Sequence, residues 1–161
     1  FLGFSFYRMK GEYRIRVDAK SIKRVKDKLR LLTSRSNGWS MDARIRRLNQ
    51  FIRGWVNYYS LADMRKLCLR LDEWLRRRLR MCYWKQWKKL KTKHDNLVRL
   101  GIQSRKAWIH ANTRKGYWHI ANSHILACSL TNAYIEKVGL LSLSFVYGNL
   151  YLTNRPMPDG T

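Results

Sequence analysis

The stretch Arg44-Ile45-Arg46-Arg47-Leu48-Asn49-Gln50-Phe51-Ile52-Arg53-Gly54-Trp55-Val56-Asn57-Tyr58-Tyr59 sorts, as a helix, into two faces. Ile45, Leu48, Ile52, Trp55, Val56 and Tyr59 recur at helical spacing and make an apolar stripe for a core. Arg46, Arg47, Gln50, Arg53 and Asn57 fall opposite, with Gly54 near the middle of the polar face. A glycine inside a helix costs about 1 kcal/mol relative to alanine. Set among arginines, it offers bare backbone to something bulky and anionic. The pattern predicts a surface that lies against a phosphate chain.

The composition of the whole chain agrees. Its 161 residues hold 34 Lys and Arg against 10 Asp and Glu, a net charge of +24. So large a charge repels itself in the folded state and calls for a polyanionic partner. A hydrophobic content of 45% with seven tryptophans excludes a disordered basic tail. Basic clusters interleaved with aromatics favour nucleic acid over a membrane surface. No apolar run reaches the roughly 18–20 residues of a membrane span, so no membrane partner is expected. The charge is uneven: residues 1–122 hold 32 Lys and Arg against eight acids, while residues 123–161 hold two of each. Polyanion binding is therefore expected of the first three-quarters, and packing or a separate contact surface of the last quarter. The start at Phe1 suggests part of a longer polypeptide. Cys68, Cys82 and Cys128 are odd in number, far apart and flanked by apolar residues, as expected of reduced, buried thiols.

Phe4, Phe6, Tyr13, Ile15 and Val17 alternate at period two around Lys10-Gly11, which predicts a β-hairpin. Asp18 is a suitable N-cap for a helix over 19–32, and Ser40 for the helix ending at Tyr59. A third helix runs from about residue 63 into the 80s, with i,i+4 pairs Asp72–Arg76 and Glu73–Arg77. Arg78 falls inside its apolar arc and must snorkel or find a partner. Residues 65–93 carry twelve Lys and Arg. Further helices are predicted at 95–100, 105–112, 124–138 and 143–152, the last capped by Ser142, with a basic-aromatic loop at 113–122. The fold class is mainly α. A hairpin (1–18) precedes a three-helix bundle (19–90), a small helical unit (91–152) and a flexible tail (153–161).

Three segments carry a resemblance. Phe1-Leu2-Gly3-Phe4-Ser5-Phe6 resembles the last block of group II intron reverse transcriptases. Residues 44–59 resemble the signature of their maturase-specific domain, the polymerase thumb. Arg114-Lys115-Gly116-Tyr117-Trp118 and the segment 130–143 resemble the short DNA-binding region that follows it in bacterial members. The resemblance implies a C-terminal part of such an enzyme: palm edge at 1–18, thumb at 19–90, DNA-binding-like region at 91–152. It implies intron RNA, RNA template–DNA primer duplex, target DNA and the rest of the reverse transcriptase as partners, and splicing, reverse transcription and retrohoming as activities of the parent. It places the chain in a bacterial cytoplasm ahead of an organelle. The family's polymerase uses a Tyr-x-Asp-Asp turn to hold Mg²⁺. The chain has no Asp-Asp pair, so no catalytic residue, metal site or cofactor is expected within it; Mg²⁺ belongs to the palm of the parent.

The residues expected to contact nucleic acid are Arg44, Arg46, Arg47, Arg53, Gly54, Asn57 and Tyr58 on the second helix. On and after the third they are Arg76, Arg77, Arg80, Lys85, Lys88 and Lys89; in the loop, Arg114 and Lys115. Such cations set affinity and salt dependence rather than sequence choice. Asn49 reads as a buried structural amide, Trp55 and Tyr59 as core, Trp84 and Trp87 as packing ahead of base contacts. A zinc site from Cys68, Cys82 and His94, or an endonuclease from His119, Asn122 and His124, lacks the required spacing. Two other classes compete. One is a thumb repurposed for defence or repair through protein assembly, with a homodimer formed by the neutral segment 123–161. The other is a standalone ribosomal-type RNA-binding protein, which explains the charge but not the Phe-Leu-Gly-Phe opening.

Overall fold

The computed structural model describes residues 2–153, so the expected tail lies, after Thr153, outside the described residues. Strands β1 (Phe4–Met9) and β2 (Glu12–Val17) pair antiparallel, with Phe4 opposite Val17 and Phe6 opposite Ile15. Lys10 and Gly11 both take positive φ, 50° and 85°, as a two-residue hairpin turn requires. At Gly3 (φ 87°) an added Cβ would overlap the Tyr59 hydroxyl and lie 2.8 Å from Ser21 Oγ. Glycine is thus needed where the chain enters β1 between two helices.

Helix α1 (Ala19–Leu32) starts at Asp18, whose carboxylate accepts the Ser21 N–H at 2.6 Å. It buries Ser21, Val25, Leu29 and Leu32. Helix α2 (Met41–Tyr58) starts at Ser40, whose hydroxyl accepts the Ala43 N–H at 3.2 Å. Helix α3 (Arg65–Gln86) buries Cys68, Leu71, Leu75, Leu79 and Cys82 at helical spacing. Helix α1 packs on both α2 and α3, and the apolar stripes of all three join one buried cluster, as their spacing predicts. The hairpin is tied to the α2–α3 turn: the Asp63 N–H donates to Ile15 O at 2.8 Å, and the Tyr7 hydroxyl donates to the Asp63 carboxylate at 2.6 Å.

Helices α4 (Leu90–Arg99) and α5 (Ser104–Ala111) pack mainly on each other, joined through Gly101 at φ 97°. Helix α4 begins five residues before its predicted start, with Lys93 Nζ 4.8 Å from the Trp84 ring centroid. The loop predicted at 113–122 contains one helical turn, α6 (Tyr117–Ile120), which lies against α3. The helix predicted at 124–138 is two: α7 (His124–Ser129) and α8 (Asn132–Lys137). Thr131 caps α8 by accepting the Tyr134 N–H, and Arg80 Nε donates to Leu130 O at 2.9 Å. That carbonyl faces an arginine at the break between the two helices. Helix α9 (Leu143–Thr153) closes the described chain on α2 and α3. One cluster of buried side chains runs from Val17 to Tyr147, through both segments that the sequence separates near residue 90. Trp84 and Trp87 belong to it, at 2% and 7% exposure. The described chain is mainly helical with an N-terminal hairpin.

Four polar side chains seat the C-terminal quarter. Asn49 Nδ2 donates to Gly139 O at 2.7 Å, and its Oδ1 accepts the Leu141 N–H at 2.8 Å. The Tyr147 hydroxyl donates to Ala62 O at 2.8 Å. Arg80 holds Leu130 O and Asn132 Oδ1. Asp72, 4% exposed, accepts from the Leu143 N–H at 2.7 Å, the Ser144 N–H at 3.0 Å and the Ser142 hydroxyl at 2.7 Å. This corrects the pairing read from sequence. Asp72 caps the N-terminus of α9, where backbone N–H groups lack partners and the helix dipole favours an anion. Glu73–Arg77 likewise forms no ion pair among the described residues. The cysteines divide. Cys68 and Cys82 are buried, and burial, with Asp72 nearby, pushes the Cys68 thiol up to about 12. Cys128 is exposed, contrary to expectation, its Sγ 3.3 Å from His124 Nε2. No group of three or more His, Cys, Asp or Glu among the described residues could hold a metal.

Asp72→Ala leaves two amides and a hydroxyl without their acceptor and should cost about 3 kcal/mol in urea unfolding; a loss below about 0.5 kcal/mol would refute the cap. The Asp18 carboxyl is held below its ordinary 3.8 by the Ser21 hydroxyl first and the Ser21 N–H second. A depressed carboxyl stabilises the fold above pH 3.8, and that contribution is lost as pH falls through the folded-state value. Asp18→Asn should flatten this acid limb in a circular-dichroism titration.

Candidate nucleic-acid interface

The α2 face assembles as its spacing predicts. Arg46, Arg53, Gly54 and Asn57 are exposed. Arg46 and Arg53 have no ion pair or side-chain hydrogen bond among the described residues. A Cβ added at Gly54 would meet nothing within 4 Å, so no packing contact requires a glycine there. Arg47, on the flank of this face, places its guanidinium carbon 3.8 Å from the ring centroid of Trp39 in the α1–α2 loop. Arg47 therefore keeps its charge at the surface while the ring restricts its movement.

Arg44 does not belong to this face. It is 3% exposed, and its guanidinium donates to Leu32 O at 3.0 Å, Ser34 O at 2.9 Å and Asn37 Oδ1 at 2.9 Å. It lies one helical turn before Leu48 on the apolar stripe, which is the signal that could have placed it inside. Arg78 joins it from α3, its Nε donating to Thr33 Oγ1 at 2.9 Å and its Nη2 to Arg30 O and Thr33 O, both at 3.3 Å. Together the two arginines occupy the carbonyl end of α1, where unpaired acceptors and the helix dipole favour cations. Burial, then Arg30, Arg35 and Arg44, lowers the Arg78 pKa.

Tyr58 is exposed, yet it is engaged. Its hydroxyl donates to Leu2 O at 3.0 Å and its ring stacks on Phe4 at 6.0 Å. It braces the hairpin against α2. Tyr59 is 9% exposed and Trp55 is half-buried against the core. Asn49 is half-buried and committed to the α8–α9 loop, as its structural reading required.

The α3 cations fall into three sets. Arg80 is committed to Leu130 O and Asn132, with half-buried Arg76 close enough to lower its pKa after burial itself. Arg77 lies over the Trp118 ring at 3.7 Å and donates to Trp118 O at 2.9 Å; Lys85 Nζ lies 5.2 Å from the Tyr117 ring centroid. Lys88 and Lys89 are exposed at the α3–α4 junction, and Arg114 and Lys115 are exposed just before α6. Thus α6 brings Tyr117 and Trp118 of the basic-aromatic loop onto the α3 cations. Trp39, Arg30 and Arg35 also sit among these stacks and are not among the residues predicted from sequence. No helix of the described residues is long and apolar enough to cross a membrane.

A search of curated proteins finds none that matches this chain. A family model does: residues 22–101, which contain the whole of α2 and α3, match the group II intron, maturase-specific domain. A maturase domain of this kind implies intron RNA as a partner. Through this segment, with its basic α2 face and cation-lined α3, the chain belongs to the group II intron maturase family.

Proposed function

We propose that the chain grips intron RNA and the template–primer duplex through the outer face of α2, in support of splicing, reverse transcription and retrohoming by a larger enzyme. One observation carries this reading: Arg46 and Arg53 are exposed without internal partners around Gly54, where the surface is open. Cations left unpaired inside the protein are available for phosphates, and the glycine lets a backbone approach closely. Lys88, Lys89, Arg114 and Lys115 would extend the grip toward target DNA. Mg²⁺-dependent chemistry would reside in the palm of the parent, because this chain has no Asp-Asp pair.

Filter binding of a structured RNA across a salt series tests the reading. Each phosphate contact contributes about −0.9 to the log–log slope, so Arg53→Gln should reduce its magnitude by about 1. Gly54→Glu should weaken binding with the fold retained, while Gly54→Ala should raise stability by up to about 1 kcal/mol. A slope near zero, or unchanged affinity in Gly54→Glu, would refute the clamp.

An assembly role has its own support. Leu61, Phe145 and Leu152 are 79%, 63% and 73% exposed around a cavity of about 1300 Å³ between the α2–α3 turn and α9, the latter from the neutral part of the chain. A salt-independent dimer in light scattering, without RNA affinity, would favour that reading over the clamp.

A further inference from the structure

The aromatic rings of this protein are paired with cations to an unusual degree, and the pairs connect. Arg47 of α2 lies over Trp39. Four residues earlier in the same loop, Arg35 lies 4.8 Å from the Tyr117 ring centroid, and Lys85 of α3 is on that ring as well. The next residue, Trp118, has Arg77 at 3.7 Å and Arg78 at 5.9 Å. Arg78, whose Nε and Nη2 are already committed at the end of α1 and which therefore links the rings without being one of the available cations, is also 5.7 Å from Trp74, which Arg30 approaches from α1 at 5.5 Å. The chain of pairs therefore leads from the flank of α2, over the α1–α2 loop and α6, to α3.

Carboxylates are nearly absent from it. Among the described residues only Arg30 has one, Asp27 at 2.8 Å. Arg35, Arg47 and Lys85 have no hydrogen bond or ion pair from their side chains among the described residues, so a ring is their partner. Arg77 commits Nη2 to the Trp118 carbonyl and its Nε is buried, so among the described residues Nη1 is the donor left without a partner. A ring restrains a cation without cancelling its charge, because the quadrupole attracts it and carries no net charge of its own. Ring-held cations keep donors for an outside anion, and less side-chain entropy is lost when that anion binds.

We propose that this line of ring-held cations is a second track for a nucleic-acid backbone, continuous with the α2 face and built to bind phosphodiesters without reading bases. The proposal rests on the nucleic-acid reading above and extends it to residues outside the α2 face. Its chemistry follows from the pairing. Tyr117, Trp118 and Trp39 already have cations on their rings, so they serve as mounts for charge instead of platforms for bases. The ligand is a phosphodiester chain, from an RNA or a DNA stem.

The test separates mount from charge. Trp118→Leu and Trp39→Leu leave the net charge untouched. Filter binding of the whole 161-residue chain to an RNA stem, a DNA stem of the same sequence and single-stranded polyuridylate, over a salt series, gives the readout. The expected result is a loss of about three- to tenfold on a stem for each ring variant, and a drop of about 1 in the magnitude of the log–log slope for Arg77→Gln. Loss on both stems assigns the track to any phosphodiester backbone; loss on the RNA stem alone assigns it to A-form RNA. Thermal unfolding accompanies each variant. If Trp118→Leu does not fold, Trp39→Leu and Arg77→Gln decide. Stem affinity within twofold of wild type in the folded variants overturns the track. So does a Trp118→Leu loss confined to polyuridylate, which would make the ring a base platform. Arg46→Gln and Arg53→Gln run alongside. If they weaken binding and the track variants do not, the track fails and the α2 clamp stands; the reverse pattern removes the clamp and keeps the track.

Discussion

The carbonyl end of α1, held by Arg44 and Arg78, is the contact on which the rest of the structure depends. In a chain with 34 cations and 10 acids, neither Arg44 nor Arg78 has a carboxylate partner among the described residues. Instead the chain places them on backbone oxygens. Arg44 takes Leu32 O and Ser34 O, and Arg78 takes Arg30 O and Thr33 O. A helix C-terminus presents unpaired carbonyls and the negative end of a dipole, so each arginine both satisfies acceptors and finds a favourable field. Because Arg44 is on α2 and Arg78 on α3, the same contact fixes how all three helices meet. The Cys82 thiol adds a further donor to Thr33 O at 3.1 Å.

With that end fixed, the remaining cations are sorted by what holds them. Those committed to two or more internal oxygens, Arg44, Arg78 and Arg80, are structural. Those on rings or in open solvent, Arg47, Arg77, Lys85, Arg46 and Arg53, remain surface charge. Among the described residues a single acid, Asp72, is buried. Asp72 is the acceptor for the start of α9, 70 residues later, and so seats the neutral C-terminal quarter on the basic helices. A molecule at +24 must keep its self-repulsion at the surface, where counterions or a polyanion relieve it.

The local features were legible. Period-two alternation around Lys10-Gly11 gave the hairpin, and the caps Asp18 and Ser40 gave the starts of α1 and α2 to within a residue or so. The maturase-domain resemblance rested on residues 44–59, which lie inside the matched segment 22–101. The losses came where a distant partner overrides a local pattern. Arg44 looks surface-facing by residue type, yet three acceptors in residues 32–37 draw it inward. Asp72 and Arg76 have ideal helical spacing for a pair, but the N-terminus of α9 offers Asp72 three donors. The 124–138 pattern breaks where Arg80 takes the Leu130 carbonyl, and the one local sign of it is Thr131, which caps α8. The pairing of Arg35 with Tyr117 likewise joins residues 82 positions apart.

The arginines thus divide into those committed to several internal oxygens and those left to rings or solvent. Substituting each in turn with glutamine, and recording unfolding temperature and RNA affinity on the same samples, tests this division most directly. Arg44→Gln and Arg78→Gln should lower the unfolding temperature by several degrees, a loss of about 1–3 kcal/mol, with the folded fraction binding RNA as before. Arg46→Gln and Arg53→Gln should leave the unfolding temperature unchanged and weaken binding. If Arg44→Gln melted like the wild type and lost RNA affinity instead, the division would be wrong.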